Sequence, residues 1–282
     1  MTAFPRTMIE DLSVSRMVIG TNGFLGFSHT SKAKDKEIKA TMTASKIADV
    51  LEVFLASGVD TIMGQGAAPL LREAMAEASQ RTGLGMKLIS TPIFPTDDTP
   101  AAWDETARLL DDEVAGGAAV CMPHMVTTDV LLDKANRRIR LMDRMTAMIR
   151  ERGMIPGLST HSPEAPVFAD ESGLDVATYI QIYNAAGFLM HVEADWVYRS
   201  IWDRKRPVIA IKPLAAGRLL PLVGLAFVWA TLRARDMVAI GTASADEAAE
   251  VIDLSLSLLE HRASTVQLQR TRSKKLLESA GD

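Results

Sequence analysis

The chain has one cysteine, Cys121, in 282 residues, so it cannot form an internal disulfide. No apolar run approaches the roughly 20 residues of a membrane-spanning helix. Lys and Arg are scattered and the formal net charge is −4, which leaves no basic face for nucleic acid. Residues 1–14 include Asp and Glu and lack the apolar segment of a signal peptide. We therefore expect a cytoplasmic protein that binds a small molecule, without nucleic-acid or membrane partners, and its oligomeric state stays open.

Apolar residues are abundant and regularly arranged. They make up 48% of the chain, against 23% charged residues, which is enough for a large core. Short apolar runs alternate with longer amphipathic segments, the pattern of parallel strands joined by helices. The eight predicted strands are residues 17–19, 59–62, 86–89, 118–121, 154–158, 179–182, 208–211 and 237–240. We predict an α/β fold, a (β/α)8 TIM barrel forming one domain over residues 1–282, with a doubly wound open sheet as the alternative.

The predicted helices carry apolar stripes and end at glycines. One stripe at helical spacing comprises Ile47, Val50, Leu51, Phe54 and Leu55. Gly58 follows this stripe, where a left-handed residue would end the helix. Residues 130–152 show a similar stripe, which predicts one helix there. The polar residues from about 260 to 282 predict a short solvated helix at the end of the chain.

Polar residues that directly follow the predicted strands are the candidate site, because barrels carry their chemistry at the carboxyl ends of the strands. Residues two apart in a strand point to the same face, so the Lys212 side chain should lie on the same face as those of Val208 and Ala210. If that face is the inner one, burial lowers the pKa of Lys212 and makes it a base, an electrostatic clamp or an imine former. His161 precedes a helix start that Ser162 would cap, where an imidazole tends to stay neutral.

Four segments in the second half resemble the fifth to eighth strand ends of aldo-keto reductase barrels: residues 157–162 (Gly-Leu-Ser-Thr-His-Ser), 181–184 (Gln-Ile-Tyr-Asn), 213–219 (Pro-Leu-Ala-Ala-Gly-Arg-Leu) and 240–244 (Ile-Gly-Thr-Ala-Ser). Residues 20–26 resemble the first turn of that family, and residues 58–61 resemble the segment with its catalytic Asp. The resemblance implies that Asp60 is the catalytic Asp and that His124 orients the substrate. If a nucleotide is bound, it implies cofactor contacts at Ser159, Gln181, Gly241 and Thr242.

The sequence also departs from this family. No Tyr follows Asp60 within residues 60–66, and Pro92 stands about where the family has its Lys. Only about twenty residues, enough for one helix of roughly 30 Å, separate residue 214 from residue 237, so the long loop over the dinucleotide is expected to be missing. Asp246, Glu247 and Glu250 follow the last strand, where they would repel a 2′-phosphate.

These features favour an enzyme that acts on a small oxygenated, possibly sugar-like, substrate by non-redox acid-base chemistry, as an epimerase, isomerase or lyase. The candidate catalytic residues are His124, Lys212, His161 and Asp60. The candidate substrate-binding residues are Asn22, Gln65, Gln181, Asn184, Tyr183 and Arg218.

Three alternatives stay open. A metal-dependent lyase or isomerase would use ligands drawn from His29, His124, His161 and Glu193. An NAD(P)H-dependent aldo-keto reductase would need a relocated proton donor, and a non-catalytic binding protein would need none. The departures above favour no cofactor, or a divalent transition metal, over NADPH.

Overall fold

The computed structural model describes residues 3–269 and contains a parallel sheet that curves into a barrel. In chain order the strands are β1 (Arg6–Ile9), β2 (Leu12–Ser15), β3 (Met17–Gly20), β4 (Thr61–Gly64), β5 (Lys87–Ser90), β6 (Ala118–Cys121), β7 (Leu132–Asp133), β8 (Arg138–Ile139), β9 (Ile155–Pro156), β10 (Leu158–Ser159), β11 (Tyr179–Ile182), β12 (Val208–Ile211) and β13 (Met237–Ile240). The helices are α1 (Asn22–Leu25), α2 (Lys32–Thr41), α3 (Ala44–Ala56), α4 (Pro69–Thr82), α5 (Pro100–Ala115), α6 (Met125–Leu131), α7 (Met142–Glu151), α8 (Ala165–Ser172), α9 (Ala194–Asp203), α10 (Pro221–Thr231) and α11 (Ala245–Leu259), with a 3-10 turn at Ala215–Gly217.

The barrel has eight strand positions because β9 and β10 are two halves of one extended segment. The sheet order is β10-β11-β12-β13-β3-β4-β5-β6-β9, with every neighbouring pair parallel. Gly157 separates the two halves, and a Cβ there would come within 2.8 Å of the Met122 side chain. The fold is the predicted (β/α)8 barrel, and each of the eight predicted strands overlaps a barrel strand.

Side chains along each strand alternate between two cores. Met17 and Val208 pack with the surrounding helices, whereas Val18 and Ile209 belong to the barrel interior. The antiparallel hairpin of β1 and β2 contributes Ile9 and Val14 to that interior. This hairpin lies at the amino ends of the barrel strands, and it was not foreseen from the sequence.

The helix predicted over residues 130–152 is wrong. The structure divides this segment into α6, an antiparallel β7–β8 hairpin and α7. The Asp133 side chain accepts hydrogen bonds from the Asn136 backbone N–H, at 3.1 Å, and from Asn136 Nδ2, at 2.8 Å. Side chains of this type compete with helical hydrogen bonds and favour turns.

Two helix ends also differ from expectation. Helix α8 begins at Ala165 with Glu164 in the N-cap position, because residues 160–162 form a turn in which Ser162 N donates to Thr160 Oγ1. At the other end of the chain, α11 stops at Leu259 and residues 261–269 are not helical. Thr265 N donates to Asp253 Oδ2 at 2.6 Å, which folds this segment back onto α11. The rest of the predicted terminal helix, residues 270–282, lies outside the described residues.

The predicted glycine end of α3 is confirmed, since Gly58 follows it with a φ of 79°. Of the helices in residues 3–269, none combines the length and the apolar character needed to cross a bilayer.

Candidate functional site

The carboxyl ends of the barrel strands, with the loops that follow them, are called the barrel mouth here. Lys212 lies there, directly after β12, and its backbone is left-handed with a φ of 59°. Val208 and Ala210 face the helices, whereas Ile209 faces the barrel interior. Strand alternation alone would therefore point the Lys212 side chain outward, not inward as expected. The left-handed turn breaks the strand alternation, and the side chain reaches His29 across the mouth.

Lys212 and His29 form the central contact of the site. The distance from Lys212 Nζ to His29 Nε2 is 3.1 Å, and Asn22 Nδ2 lies 3.0 Å from the same nitrogen. An ammonium group can only donate, so His29 Nε2 carries the lone pair and the ring proton sits on Nδ1. Burial and the charge of Lys212 lower the pKa of His29, which keeps the ring neutral. Burial also lowers the pKa of Lys212 to about 8.

His124 approaches the same mouth after β6, in the N-cap position of α6. Its Nδ1 accepts a hydrogen bond from the Val126 backbone N–H at 3.3 Å. The neutral ring therefore carries its proton on Nε2. Burial lowers the pKa of His124, Asp129 partly offsets that effect, and the charge of Lys212 lowers it further. His124 is thus a neutral N–H donor within electrostatic reach of Lys212.

His161 follows β10 and completes the group. Burial, then the charges of Lys212, His124, His29 and His191, lowers the pKa of His161 to about 4. The neutral state was expected from a neighbouring helix start, but α8 begins four residues later. Its cause is instead the shared burial of one amine and several imidazoles. Asn22, His29, His124, His161 and Lys212 are called the mouth cluster below.

Asp129 holds part of this cluster in place, and sequence reasoning missed it. Its carboxylate accepts hydrogen bonds from Thr160 Oγ1 and, at 3.1 Å, from the backbone N–H of His161. It thereby joins α6 to the turn after β10. Asp129 is the one charged residue in the short helix α6, and this was the available signal. Nothing in the sequence connects it to a turn some thirty residues away.

Asp60 lies at the end of the barrel opposite the mouth. The prediction that it is a catalytic residue of the mouth is therefore wrong. Strand β4 begins after it, at Thr61, so Asp60 is at the amino end of that strand. Its carboxylate pairs with Lys87 and, at 3.1 Å, with Arg6 of the hairpin. Burial raises the pKa of Asp60, but the hydrogen bonds from Lys87 and Arg6 outweigh it and leave the pKa below its usual value.

Gln181 in β11 and Tyr183 directly after it lie on the outer face of the barrel wall. The Tyr183 ring, 1% exposed, packs 4.9 Å from the Phe227 ring, and its hydroxyl donates to Thr231 Oγ1 at 3.0 Å. Both tyrosines that flank Gln181 at spacing two, Tyr179 and Tyr183, belong to the helix-facing core. Strand alternation puts Gln181 on that face too. The contacts of Tyr183, and strand alternation for Gln181, place both side chains away from the predicted substrate site.

The side chains of Asn184 and Arg218 both contact Phe188, so few of their polar groups are free to bind a substrate. Asn184 Oδ1 accepts from Phe188 N at 2.8 Å, and Asn184 Nδ2 donates to Phe188 O at 3.0 Å. The guanidinium of Arg218 lies 4.1 Å from the centroid of the Phe188 ring. The loops after β11 and β12 are therefore tied together. Gln65 is exposed after β4 and Ser159 ends β10, so both stay at the carboxyl end.

The predicted metal ligands do not form a metal-binding arrangement in residues 3–269, although His29, His124 and His161 all lie at the mouth. Within residues 3–269, no three His, Cys, Asp or Glu side chains are arranged to hold a metal ion. Glu193 is exposed at the N-cap position of α9. His29 Nε2 is engaged by Lys212, and His124 Nδ1 by the α6 backbone. These contacts give no support to a metal set of His29, His124, His161 and Glu193, which stays a prediction.

The turn after β13, where a dinucleotide phosphate was considered, is occupied by the protein's own carboxylate. Glu247 Oε2 accepts from Ala243 N at 2.7 Å, and Ser244 Oγ accepts from Glu247 N at 3.1 Å. The Ser244–Glu247 bond is one half of a capping box at the start of α11, and the Glu247 carboxylate reaches the N–H one residue before the N-cap. Asp246 adds a further negative charge in the same turn. A phosphate approaching this helix end would meet two carboxylates.

Gly241 and Thr242 pack against the turn after β3. A Cβ on Gly23 would lie 2.9 Å from Thr242 O, and a Cβ on Gly20 would lie 3.3 Å from Gly241 N. These close approaches bring the first and last barrel turns together. The connection from β12 to β13 holds one 3-10 turn and α10, so the long loop is missing as expected.

No family model matches the chain, and no curated protein matches it. Solved structures do. A proposed aldo-keto reductase from Pseudomonas aeruginosa is 15% identical with a TM-score of 0.65, and the match covers 90% of this chain and 94% of that one. A glycerol dehydrogenase from Gluconobacter oxydans is 12% identical with a TM-score of 0.59, covering 96% and 93%. An aldo-keto reductase from Brucella melitensis is 12% identical with a TM-score of 0.58, covering 90% and 93%. The chain therefore has the barrel fold of the aldo-keto reductases.

Proposed function

We propose that the chain is an enzyme that moves protons on a small oxygenated substrate at the barrel mouth, without hydride transfer. The observation that carries this proposal is the contact of Lys212 Nζ with the lone pair of His29 Nε2, at 3.1 Å. The contact lies among imidazoles whose pKa values are all lowered. Groups with perturbed pKa values that converge at a barrel mouth are typical of acid-base sites.

Each member of the mouth cluster has a role that its geometry permits. Lys212, with a pKa of about 8, exists as both amine and ammonium near neutral pH and can take or return a proton. His124 donates through Nε2, which suits the oxygen of a carbonyl or hydroxyl group. A base on one side and a donor on the other can remove a proton next to a carbonyl and stabilise the resulting enolate. Epimerisation, isomerisation and elimination all begin with that step.

The test is solvent-deuterium exchange, followed by proton NMR, across a panel of small hydroxy-aldehydes, hydroxy-ketones and oxo-acids. We expect the wild-type chain to exchange the α-proton of at least one compound. Lys212→Met should lower that rate by about 10²–10⁴-fold, the usual contribution of a general acid or base. Lys205→Met, which changes an exposed lysine after α9, is the matched control and should exchange at the wild-type rate. Exchange that persists in Lys212→Met would refute the proposal.

A nicotinamide-dependent reductase is the second candidate, because the solved structures of similar fold include aldo-keto reductases. The carboxylate of Glu247 at the start of α11 argues against a phosphate there. Native mass spectrometry with NADPH, with NADH and without nucleotide tests this candidate. A nucleotide adduct that NADP⁺ displaces would favour the reductase, whereas the bare chain mass in every sample would favour proton transfer alone.

A further inference from the structure

We infer that Lys212 is a nucleophile that forms an imine with the aldehyde or ketone group of its substrate. This inference comes from the half-buried amine of Lys212, whose partner is the lone pair of His29 Nε2 and not a carboxylate. This inference rests on the proposed function, since it specifies how the mouth cluster engages the substrate carbonyl.

A comparison of lysines shows why the partner matters. Lys87, at the amino end of the barrel, is half-buried and pairs with the carboxylate of Asp60. A carboxylate holds an ammonium in its charged, non-nucleophilic form. Lys212 has no such partner among residues 3–269, and its contact is His29 Nε2. A neutral imidazole can accept a proton from the amine but does not hold a positive charge on it.

The backbone around Lys212 supplies an independent observation. Lys212, Ala215 and Ala216 have φ values of 59°, 49° and 53°, so three non-glycine residues of one short segment are left-handed. Ala215 N donates to Lys212 O at 2.9 Å, which fixes the turn. L-residues adopt this conformation at a cost, and such strain collects at functional sites. Here its effect is to aim one amine at the mouth against the alternation of its strand.

The chemistry balances without any redox partner. The neutral Nζ attacks the carbonyl carbon, a C–N bond forms, and the oxygen takes a proton to give a carbinolamine. His29 Nε2 can accept the proton that leaves Nζ and pass it to the oxygen, while His124 Nε2–H stabilises that oxygen with a hydrogen bond. The second Nζ proton reaches the hydroxyl by the same route, the C–O bond breaks and water leaves, so amine plus carbonyl gives imine plus water. The protonated imine then draws electrons from the neighbouring carbon and makes its hydrogen more acidic.

The experiment is reductive trapping on the intact chain. Formaldehyde, which fits any site, and glyceraldehyde are each added with cyanoborohydride, which reduces an imine to a stable secondary amine. Peptide mass spectrometry then follows the labelling rate of each lysine. We expect Lys212 to be labelled at about pH 7 at least tenfold faster than Lys205, because a larger fraction of its amine is neutral. Its advantage should shrink as the pH rises above about 10, where ordinary lysines also lose their protons.

Two variants make the result decisive. Lys205→Met should be labelled at Lys212 like the wild type. Lys212→Arg keeps a positive charge but cannot form an imine, and it should lose both this labelling and the deuterium exchange. Labelling of Lys212 no faster than of exposed lysines would overturn the inference. Exchange that survives in Lys212→Arg would overturn it as well, while leaving proton transfer at the mouth intact. Exchange that survives in Lys212→Met would instead remove the proposed function itself.

Discussion

The two ends of the barrel hold their charged side chains in opposite ways. At the amino end, Asp236 is fully buried and accepts hydrogen bonds from Arg233 Nε and Nη2, both at 2.7 Å. Asp60 at the same end pairs with Lys87 and Arg6. At the mouth, Lys212 faces imidazoles instead of a carboxylate. Removing one partner of a buried charge pair destabilises a fold, whereas an amine that lacks a carboxylate partner is costly to bury and remains reactive.

This comparison assigns stability to one end and chemistry to the other. Variants at the amino end should therefore lower the free energy of unfolding and leave exchange activity intact, and variants at the mouth should do the reverse. Four changes test the division, from the largest expected effect on stability to the smallest.

Asp236→Asn should cause the largest loss, about 3–5 kcal/mol in the free energy of unfolding, because it leaves a buried arginine without its carboxylate. Arg233 is 8% exposed, so water cannot replace the lost charge. Urea denaturation measures the change. Glu105→Gln, which breaks the exposed pair with Arg108, is the control and should cost far less, because water replaces the lost contact. Equal losses in the two variants would contradict the assignment.

Asp60→Asn should cost about 2 kcal/mol, since two charged donors, Lys87 and Arg6, lose their partner. The deuterium-exchange rate should stay within about twofold of wild type, because Asp60 lies at the far end of the barrel from Lys212. A large loss of exchange in a folded Asp60→Asn chain would show that the amino end takes part in the chemistry.

His161→Gln tests the neutral imidazoles through pH. The folded chain holds the pKa of His161 at about 4, below its ordinary value of 6.5. Between those values the unfolded chain binds more protons, so acid favours unfolding and stability rises with pH across this window. When the pH falls from about 7 to about 4.5, the free energy of unfolding should drop by about 1 kcal/mol less in the variant than in wild type. Thermal unfolding at both pH values measures the difference, and equal slopes would contradict it.

Lys212→Met should have the smallest effect, a gain of about 0.5 kcal/mol near pH 7, because it removes a half-buried ammonium without a carboxylate partner. Water still reaches part of the side chain, which limits the gain. The same linkage makes wild-type stability rise from about pH 8, the pKa of folded Lys212, toward its ordinary value of 10.5. A methionine side chain cannot titrate, so the variant should lack that rise. A marked loss of stability would indicate a structural role for the amine.

Parts of the site could be predicted, for a physical reason. Lys212, His124 and His161 directly follow apolar strand runs, and parallel strands bring their carboxyl ends to one rim. Sequence position alone was therefore enough to select them. Asp60 also adjoins a strand, but the strand starts after it. Asp60 was selected through the resemblance of residues 58–61 to the family's catalytic segment, and that match placed the side chain at the wrong end of the barrel.

Other features depended on geometry that no local pattern records. The left-handed backbone of Lys212 has no glycine or asparagine to signal it. Tyr183 and Gln181 follow β-strand alternation, but which face is inner is decided only when the barrel closes. Asp129 acts on a turn about thirty residues away.

The sequence by itself located the eight barrel strands and favoured the barrel over an open sheet, because short apolar runs separated by amphipathic helices have few other ways to bury their surfaces. It also marked the ends of several helices with glycines, as at Gly58 after α3. Tertiary structure alone decided which charges are paired. Burial and hydrogen-bond partners come from residues distant in the chain, and those surroundings separate the stabilising carboxylates at the amino end from the reactive amine at the mouth.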